Sequence, residues 1–366
     1  MSDEQSADRQ FDQVNESLYR KGATDGLPVV PPTDDRVQEM LRGTDRPDDE
    51  VLGHLGNRDD PVSVRKVAVN GVMAGCLPTH LPILIAGTEA LAAPESNSIA
   101  FSVSTTGWAY YWTVNGPVRN EVDIQCESGA YGPGFRANRT MGRALGLIYK
   151  NTTRIQPGEK DMATIGNPFK FSLFAGENEE ENPWEPYHVS HGYDAEDSTI
   201  TLAGPSIYLT WTPYRNTAEY ILEGMVDHLS PYMAAGAGGK TVWQILCPYS
   251  AEQLDQAGFS KQDVKQYVCD NSYVPARLYS RGKYQDREIA RADPLENAPS
   301  RQLQQISNPD ALKLLTIGGP GTVNAIIGPS IGGPVTKTIS FPEDWEALVE
   351  EYREDTDWYQ AQSFYE

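Results

Sequence analysis

Ile200-Thr-Leu-Ala203 and Ile207-Tyr-Leu-Thr-Trp211, separated by Gly204-Pro205-Ser206 and followed by helical spacing from Thr217 to Met233, form the stretch that decides the fold class. Short β-branched and aromatic runs between turn formers read as strands, and apolar positions recurring at helical intervals read as a helix. Toward the carboxyl end, Val242 to Leu246 and Leu314 to Ile317 read as further strands. Ala251 to Gln256, Lys261 to Val268 and Glu343 to Tyr352 read as helices. This alternation predicts an α/β fold, a mixed sheet layered with helices, over a segregated α+β one.

Toward the amino end, Phe171 to Phe174, Tyr110 to Val114 and Ile99 to Ser104 read as strands, and Met141 to Tyr149 as a helix. Two more helices, Val62 to Met73 and Thr79 to Ala92, meet at a Gly75-Cys-Leu-Pro78 corner, with Pro82 tolerated in a first turn. Leu27-Pro-Val-Val-Pro-Pro32 forbids a helix. Residues 1–20 are polar and charged and read as a flexible acidic tail or a surface helix. No repeat of 20 to 50 residues is visible. One α/β domain over residues 21–366 and two intimate subdomains divided near residue 195 both fit the length. The candidate seams are Glu177 to Glu185 and Arg281 to Asn308.

The chain carries 51 Asp and Glu against 30 Lys and Arg, a formal charge of -21, while its charged fraction of 22% is ordinary. The imbalance is therefore a shortage of cations. A carboxylate surface stays hydrated in molar salt, where the Debye length falls to about 3 Å and self-repulsion disappears. A haloadapted (halophilic) surface is the leading expectation, and an ordinary acidic protein the rival. An acidic face repels polyanions, so nucleic acid is not an expected partner. There is no apolar run of ~18 residues and no basic, apolar leader, so a cytoplasmic protein without a membrane span is expected. Cys76, Cys126, Cys247 and Cys269 form no CxxC, which argues against a zinc ribbon or a disulfide scaffold.

The Gly129-Ala-Tyr-Gly132-Pro-Gly134-Phe-Arg136-Ala-Asn138-Arg139 stretch runs into a helix. Glycines permit close backbone approach and helix-end amides attract anions, so Gly132, Gly134, Arg136 and Asn138 are candidates to bind a carboxylate or phosphate. The bland alternative is a turn capped by Asn138. Gly318-Gly-Pro-Gly321 follows a strand, where open sheets bind ligands, or is a plain turn. In Glu177-Asn-Glu179-Glu180-Glu-Asn-Pro-Trp184-Glu185-Pro-Tyr-His188, two prolines hold carboxylates near an indole and an imidazole. Glu177, Glu179 and His188 are candidate proton carriers, against an acidic surface loop. Glu185, His188 and His191 have the donor chemistry for zinc or iron, but the prolines prevent a helix that would converge them. Cys76, one turn before His80 if it opens a helix, is a candidate nucleophile or redox thiol, against a buried structural cysteine. Cys126 lies beside the glycine stretch, and Cys247 and Cys269 read as core.

Several blocks, in order, carry a resemblance. They are Asp25-Gly-Leu-Pro-Val-Val-Pro-Pro-Thr33, Ala68-Val-Asn70-Gly-Val-Met-Ala-Gly-Cys76, Gly132 to Asn138, Glu177-Asn-Glu-Glu180 with Pro183-Trp-Glu-Pro186, and Gly258-Phe-Ser-Lys261-Gln-Asp-Val264. Together with the late Gly-Gly-Pro-Gly segment they resemble a poorly characterised bacterial and archaeal family associated with UGSC-type selenoproteins. The resemblance spans most of residues 24–335. It implies redox or thiol chemistry and places a site at Asn70, Cys76, Arg136, Asn138, Glu177, Glu179 and Trp184, although the chain has no Cys-Gly-Ser-Cys segment.

The leading expectation is an enzyme, a thiol-dependent oxidoreductase or lyase acting on a small anionic substrate. The glycine stretch and Arg136 would hold the anion, Cys76 would act as thiol, and His188 or the Glu177 group would move protons. A metal-dependent hydratase or hydrolase with Glu and His ligands is one rival, and a non-catalytic assembly or binding subunit is the other. No cofactor is legible. Trp345, Tyr352, Trp358, Tyr359, Phe364 and Tyr365 interrupt an acidic tail and suggest a homo-oligomer with carboxy-terminal contacts.

Overall fold

The computed structural model describes residues 3–56, 60–229, 241–275 and 302–353. Its amino half runs α1 (Asp3–Arg20), α2 (Asp34–Leu41), a hairpin of β1 (Val51–Leu55) and β2 (Asp60–Ser63), then α3 (Val64–Ala74), α4 (Leu81–Ala92), α5 (Ala100–Val103), β3 (Tyr111–Asn115), α6 (Val118–Glu121), α7 (Arg136–Thr153) and β4 (Phe174–Gly176). The second half runs β5 (Thr199–Ala203), β6 (Pro205–Trp211), α8 (Ala218–His228), β7 (Val242–Leu246), α9 (Pro248–Gln256), α10 (Lys261–Asn271), β8 (Tyr273–Pro275), β9 (Gln302–Gln304), β10 (Leu312–Thr316), β11 (Asn324–Ser330), β12 (Val335–Thr338) and α11 (Trp345–Tyr352).

The fold is α/β, with sheets packed against helices. One four-stranded sheet has the order β12-β5-β3-β4 and the other β10-β7-β11-β6. Each contains one parallel pair, β3 with β4 and β7 with β10, and is otherwise antiparallel. Successive strand residues face opposite sides, and here both sides are buried. Tyr111 and Ala203 of the first sheet meet Trp243, Ile245, Leu315, Ala325 and Ile327 of the second in a shared apolar layer. The outward faces go under helices. Trp112, Val114, Ile200 and Leu202 pack with α3, α4 and α7, and Val242, Leu246, Leu312 and Ile326 pack with α8, α9 and α10. The order of layers is helix, sheet, sheet, helix. Because central strands are covered on both faces, runs such as Val242–Leu246 are almost continuously apolar.

The two sheets share chain. β5 passes into β6 through Gly204, and β11 into β12 through residues 331–334. β6 pairs with β11 and β5 with β12, and the amide of Ile331 donates to the Gly204 carbonyl at 2.8 Å. At this crossing the backbones touch, since a Cβ on Gly332 would lie 2.1 Å from the Ser96 carbonyl oxygen.

Several expectations need correction. Ile99 to Ser104 is not a strand but holds the short helix α5, because a tight turn at Pro94–Ser96 with Asn97 left-handed turns the chain and drives Phe101 into a cluster with Tyr110 and Tyr149. The strand expected at Phe171 to Phe174 starts only at Phe174, since the Asn167 side chain caps a 3-10 turn over Pro168–Lys170. The helix expected from Val62 begins at Val64, capped by Ser63, and stops at left-handed Gly75. The helix expected from Thr217 to Met233 covers Ala218–His228, and residues beyond 229 there lie outside the described ones. Residues 3–20 are helical, with Asn15 bonded to both the amide and the carbonyl of Val29. Two aromatics expected at the surface bind their own chain: the Trp345 indole donates to Glu121, and Tyr352 meets Glu39 and lies under Arg42. Trp358, Tyr359, Phe364 and Tyr365 lie outside the described residues. No helix among the described residues is long and apolar enough to cross a membrane.

Gly332→Ala forces the sheet crossing away from Ser96 and is expected to cost at least about 2 kcal/mol, the range of severe backbone clashes. Urea unfolding checks this, and a midpoint shift at unchanged slope is the expected signature.

Candidate functional site

The carboxyl ends of the two parallel strand pairs converge. β3 ends in Asn115 and β4 runs into Glu177, whose amide donates to Val114; the next amide, that of Asn178, donates to Thr316 at the end of β10. Asn178 also reaches the Gly318 carbonyl, and the Gly318 amide donates to Cys126. The Glu177–Asn178 step therefore bridges the two sheets at the position where α/β proteins place ligands.

Around that step lies a buried polar cluster. Glu177 is fully buried, and its carboxylate accepts from Asn115 Nδ2 (2.6 Å), the Tyr187 amide (2.7 Å) and Asn182 Nδ2 (2.9 Å). Glu179 accepts from Asn115 Nδ2 and from the Gly116 amide at 2.8 Å. Gly116 has φ 86°, and a Cβ there would sit 2.1 Å from the Asp197 carbonyl oxygen, so only glycine fits. Arg119, 3% exposed, donates to the Gly116 and Glu177 carbonyls and pairs with Glu179 and Glu180 at 3.1 Å. Burial opposes the ionisation of Glu180, but Arg119 and Asn120 overcome it and hold its carboxyl down at about 2. His188 is fully buried, and neither ring nitrogen has a hydrogen-bond partner among the described residues; Nδ1 lies 3.9 Å from Glu179.

Glu177 also faces Lys261, the first residue of α10, with Nζ 4.0 Å from Oε1. The Lys261 side chain is 12% exposed and donates to the Glu185 carbonyl at 2.6 Å. Burial pushes the Glu177 carboxyl up and the Lys261 amine down, and each partly restores the other. Burial thus moves the two proton affinities toward each other. Lys261 opens onto a cavity of about 410 Å³ lined also by Glu185, Ser190, His191, Gln262, Lys265, Asp310 and Lys313. His191 stacks on Tyr187 and shares a 3.2 Å contact between its Nε2 and Lys313 Nζ. Burial, and then mutual repulsion, lower the affinities of Lys265 and Lys313 for their protons; His191 is lowered by burial and by all three lysines. Lys265 makes no hydrogen bond or ion pair among the described residues, and Lys313 has none to a carboxylate.

The remaining candidates do other work. Asn138 is the third residue of α7, not its cap. It is fully buried, and its amide bonds the Gln125 amide and carbonyl and the carbonyls of Ala130 and Phe174. Arg136 donates to the Gly75 carbonyl at the end of α3, and Arg139 to the carbonyls of Ala130, Tyr131 and Phe174. The expected anion cradle at Gly132, Gly134, Arg136 and Asn138 is therefore corrected: its polar groups fix backbone. Gly129 and Gly132 instead line a 390 Å³ cavity between the sheets with Gly318, Phe169, Tyr131 and Tyr208, so the two glycine-rich segments do meet, on an aromatic surface. Asn70 is tied to Asn151 and to the Lys66 carbonyl. Trp184 anchors its loop on the Phe259 carbonyl.

Cys76 does not open a helix. It follows the left-handed Gly75 at the carboxyl end of α3, where the dipole disfavours a thiolate, and burial pushes its thiol up to about 12. His80 lies in a 3-10 turn, accepts from the Leu77 amide and is pushed down to about 3 by burial. Cys126, 4.0 Å from Arg119, is pushed up to about 11 by burial. All four cysteines are free and buried. Glu185, His188 and His191 do not converge, and the described residues contain no group of three or more His, Cys, Asp or Glu placed to hold a metal. Reasoning from sequence missed Asn115, Arg119, Lys261, Lys265 and Lys313. The available signal was Lys261 and Lys265 at i,i+4 on a helix in a chain with only eleven lysines.

Comparison with family models, with curated proteins and with solved structures finds no match to this chain.

Arg119→Met is expected to cost about 3–5 kcal/mol at pH 7, as removal of one member of a buried ion cluster does. Glu180 carries a small part of this, being half exposed. Its lowered value means that its share is present above the ordinary glutamate value of 4.5 and is lost as pH falls toward about 2, so the gap between the two unfolding curves should narrow slightly over that range. In the native state all four thiols should react with Ellman's reagent at pH 8 far more slowly than free cysteine, and all four should react at once in urea.

Proposed function

We propose that the chain is an enzyme of small, multiply charged anions, with the lysine-lined cavity as its active site and Lys261 and Glu177 as the groups that move its proton. The observation that carries this reading is the state of the lysines. In a chain of charge -21, cations are scarce, and four other lysines are tied to main-chain carbonyls, Lys66 to Pro61, Lys150 to Gly22, Lys160 to Thr153 and Lys170 to Phe101, the last also pairing with Asp161. Only in this cavity do three ammonium groups and an imidazole crowd together, with two of the amines lacking a carboxylate within salt-bridge distance among the described residues. Asp310 and Glu185, which line the same cavity, offset only part of the cost of holding these like charges in partial burial, and an anion would offset more.

The chemistry follows from the position of Glu177. Lys265, Lys313 and His191 supply the field that draws and orients the anion. Lys261 reaches from that field to a carboxyl shut away from water, so a proton taken from a bound molecule has an acceptor that does not exchange it with solvent. The small anionic substrate expected from the sequence is retained, at a different place. The thiol step receives no support from Cys76, which is buried, raised and remote from this cluster.

Oxalate or phosphate at low ionic strength is expected to raise the melting temperature. The folded values of the amines and of His191 are lowered, so their charged forms are lost as pH rises through those values, and the stabilisation should shrink in the same direction. Lys265→Gln and Lys313→Gln should each weaken binding about tenfold, equivalent to about 1.4 kcal/mol. Calorimetric titration decides, and equal affinity in wild type and the double variant would overturn the reading.

A further inference from the structure

The geometry points to Lys261 as an imine-forming amine, and to the substrate as an anion that also carries an aldehyde or ketone carbonyl. The inference deepens the reading above and rests on it. An amine condenses with a carbonyl only as the neutral base, so an enzyme that uses one has to withdraw it from water and place it near other cations. Lys261 meets both conditions. Its side chain is almost enclosed, its nitrogen is held by the Glu185 carbonyl at 2.6 Å, and Lys265 and Lys313 line the same cavity. Burial lowers its proton affinity, against the opposing pull of Glu177, Glu185 and Glu179.

A lysine serving only as an anion anchor has no use for a buried carboxyl behind it. Imine formation does. The ammonium of Lys261 gives a proton to Glu177 Oε1, 4.0 Å away. The nitrogen lone pair forms the C–N bond at the carbonyl carbon as the C=O π pair moves onto oxygen. That oxygen takes one nitrogen proton by way of Glu177 to give the carbinolamine. The oxygen then takes the second nitrogen proton, the C–O bond breaks, and water leaves as C=N forms. Both nitrogen protons depart on that water, and no oxidant or reductant is required. The anionic part of the substrate remains on Lys265, Lys313 and His191 throughout. His188, whose ring nitrogens have no hydrogen-bond partner among the described residues, lies 3.9 Å from Glu179 and takes no part in this path.

The test is reductive trapping on the full-length protein. Pyruvate and sodium borohydride are added, peptides are mapped by mass spectrometry, and oxalate is titrated by calorimetry on the same preparation. The expected result is a carboxyethyl adduct on Lys261 at least tenfold above the other ten lysines, suppressed by oxalate, with no comparable enrichment of the isopropyl adduct on Lys261 when acetone replaces pyruvate. Lys261→Arg keeps the cation but cannot condense and should lose the adduct. Glu177→Gln should slow its formation at least tenfold while the peptide assignment stays the same. An adduct spread over many lysines, or centred on Lys265 or Lys313, overturns the proposal. Oxalate binding without an adduct on Lys261 overturns the imine and leaves the anion site standing, whereas loss of both removes the site itself. Should either variant fail to fold, the wild-type peptide map decides alone.

Discussion

A guanidinium withdrawn from water has to find an acceptor for its N–H groups and a counter-charge, and the arrangement around Arg119 follows from that demand. At 3% exposure its donors reach the Gly116 and Glu177 carbonyls, and its charge is met by Glu179 and Glu180. The two carbonyls belong to the ends of β3 and β4, so satisfying one side chain fixes the register of the parallel pair at its carboxyl end. Once Glu179 is committed to Arg119, Asn115 and Gly116, Glu177 has only neutral donors and Lys261 to face. A buried carboxyl with neutral donors and one distant amine is ready to exchange a proton; a carboxyl in a tight ion pair is not.

The fold class was legible because the central strands are apolar on both faces and lie between clear helices. β1, β2, β11 and β12 were not. β11 contains Gly328 and Pro329, and β12 is short and half polar, so their strand character comes from pairing to β6 and β5, far away in sequence. The site divides along a similar line. Glu177, Glu179 and His188 were marked by an unusual density of carboxylates between prolines, a local signal. Arg119, Asn115 and Lys313 have no distinctive neighbours in sequence, and only the convergence of two sheets brings them to the cluster. The misplaced candidates have a common cause: Asn70, Asn138 and Arg136 sit in glycine-rich company that suggests ligand binding, yet each hydrogen-bonds the chain's own backbone. Glycine marks close approach, and here what approaches is another strand or loop of the same molecule.

The Asp25 to Thr33 and Ala68 to Cys76 segments gain a physical meaning from this. Asp25 makes a two-pronged ion pair with Arg143 of α7, which also binds the Leu27 and Pro28 carbonyls and clamps the proline-rich segment that no sheet could hold. Asn70 joins α3 to α7 through Asn151. These groups fasten elements that share no β-ladder, and a chain short of cations places several of its few Arg and Lys residues inside in such fastenings.

The crossing of β5–β6 over β11–β12 bears on how the chain is made. The first sheet is three-quarters encoded by residue 203, yet its edge beside β5 stays open until β12, ending at Thr338, has been synthesised. During that interval Ile200 and Leu202 belong to a strand whose main-chain N–H and C=O groups are unpaired on one side, a template for any other extended chain. A nascent amino half therefore emerges with a sticky edge and has to wait for more than a hundred further residues before it can close.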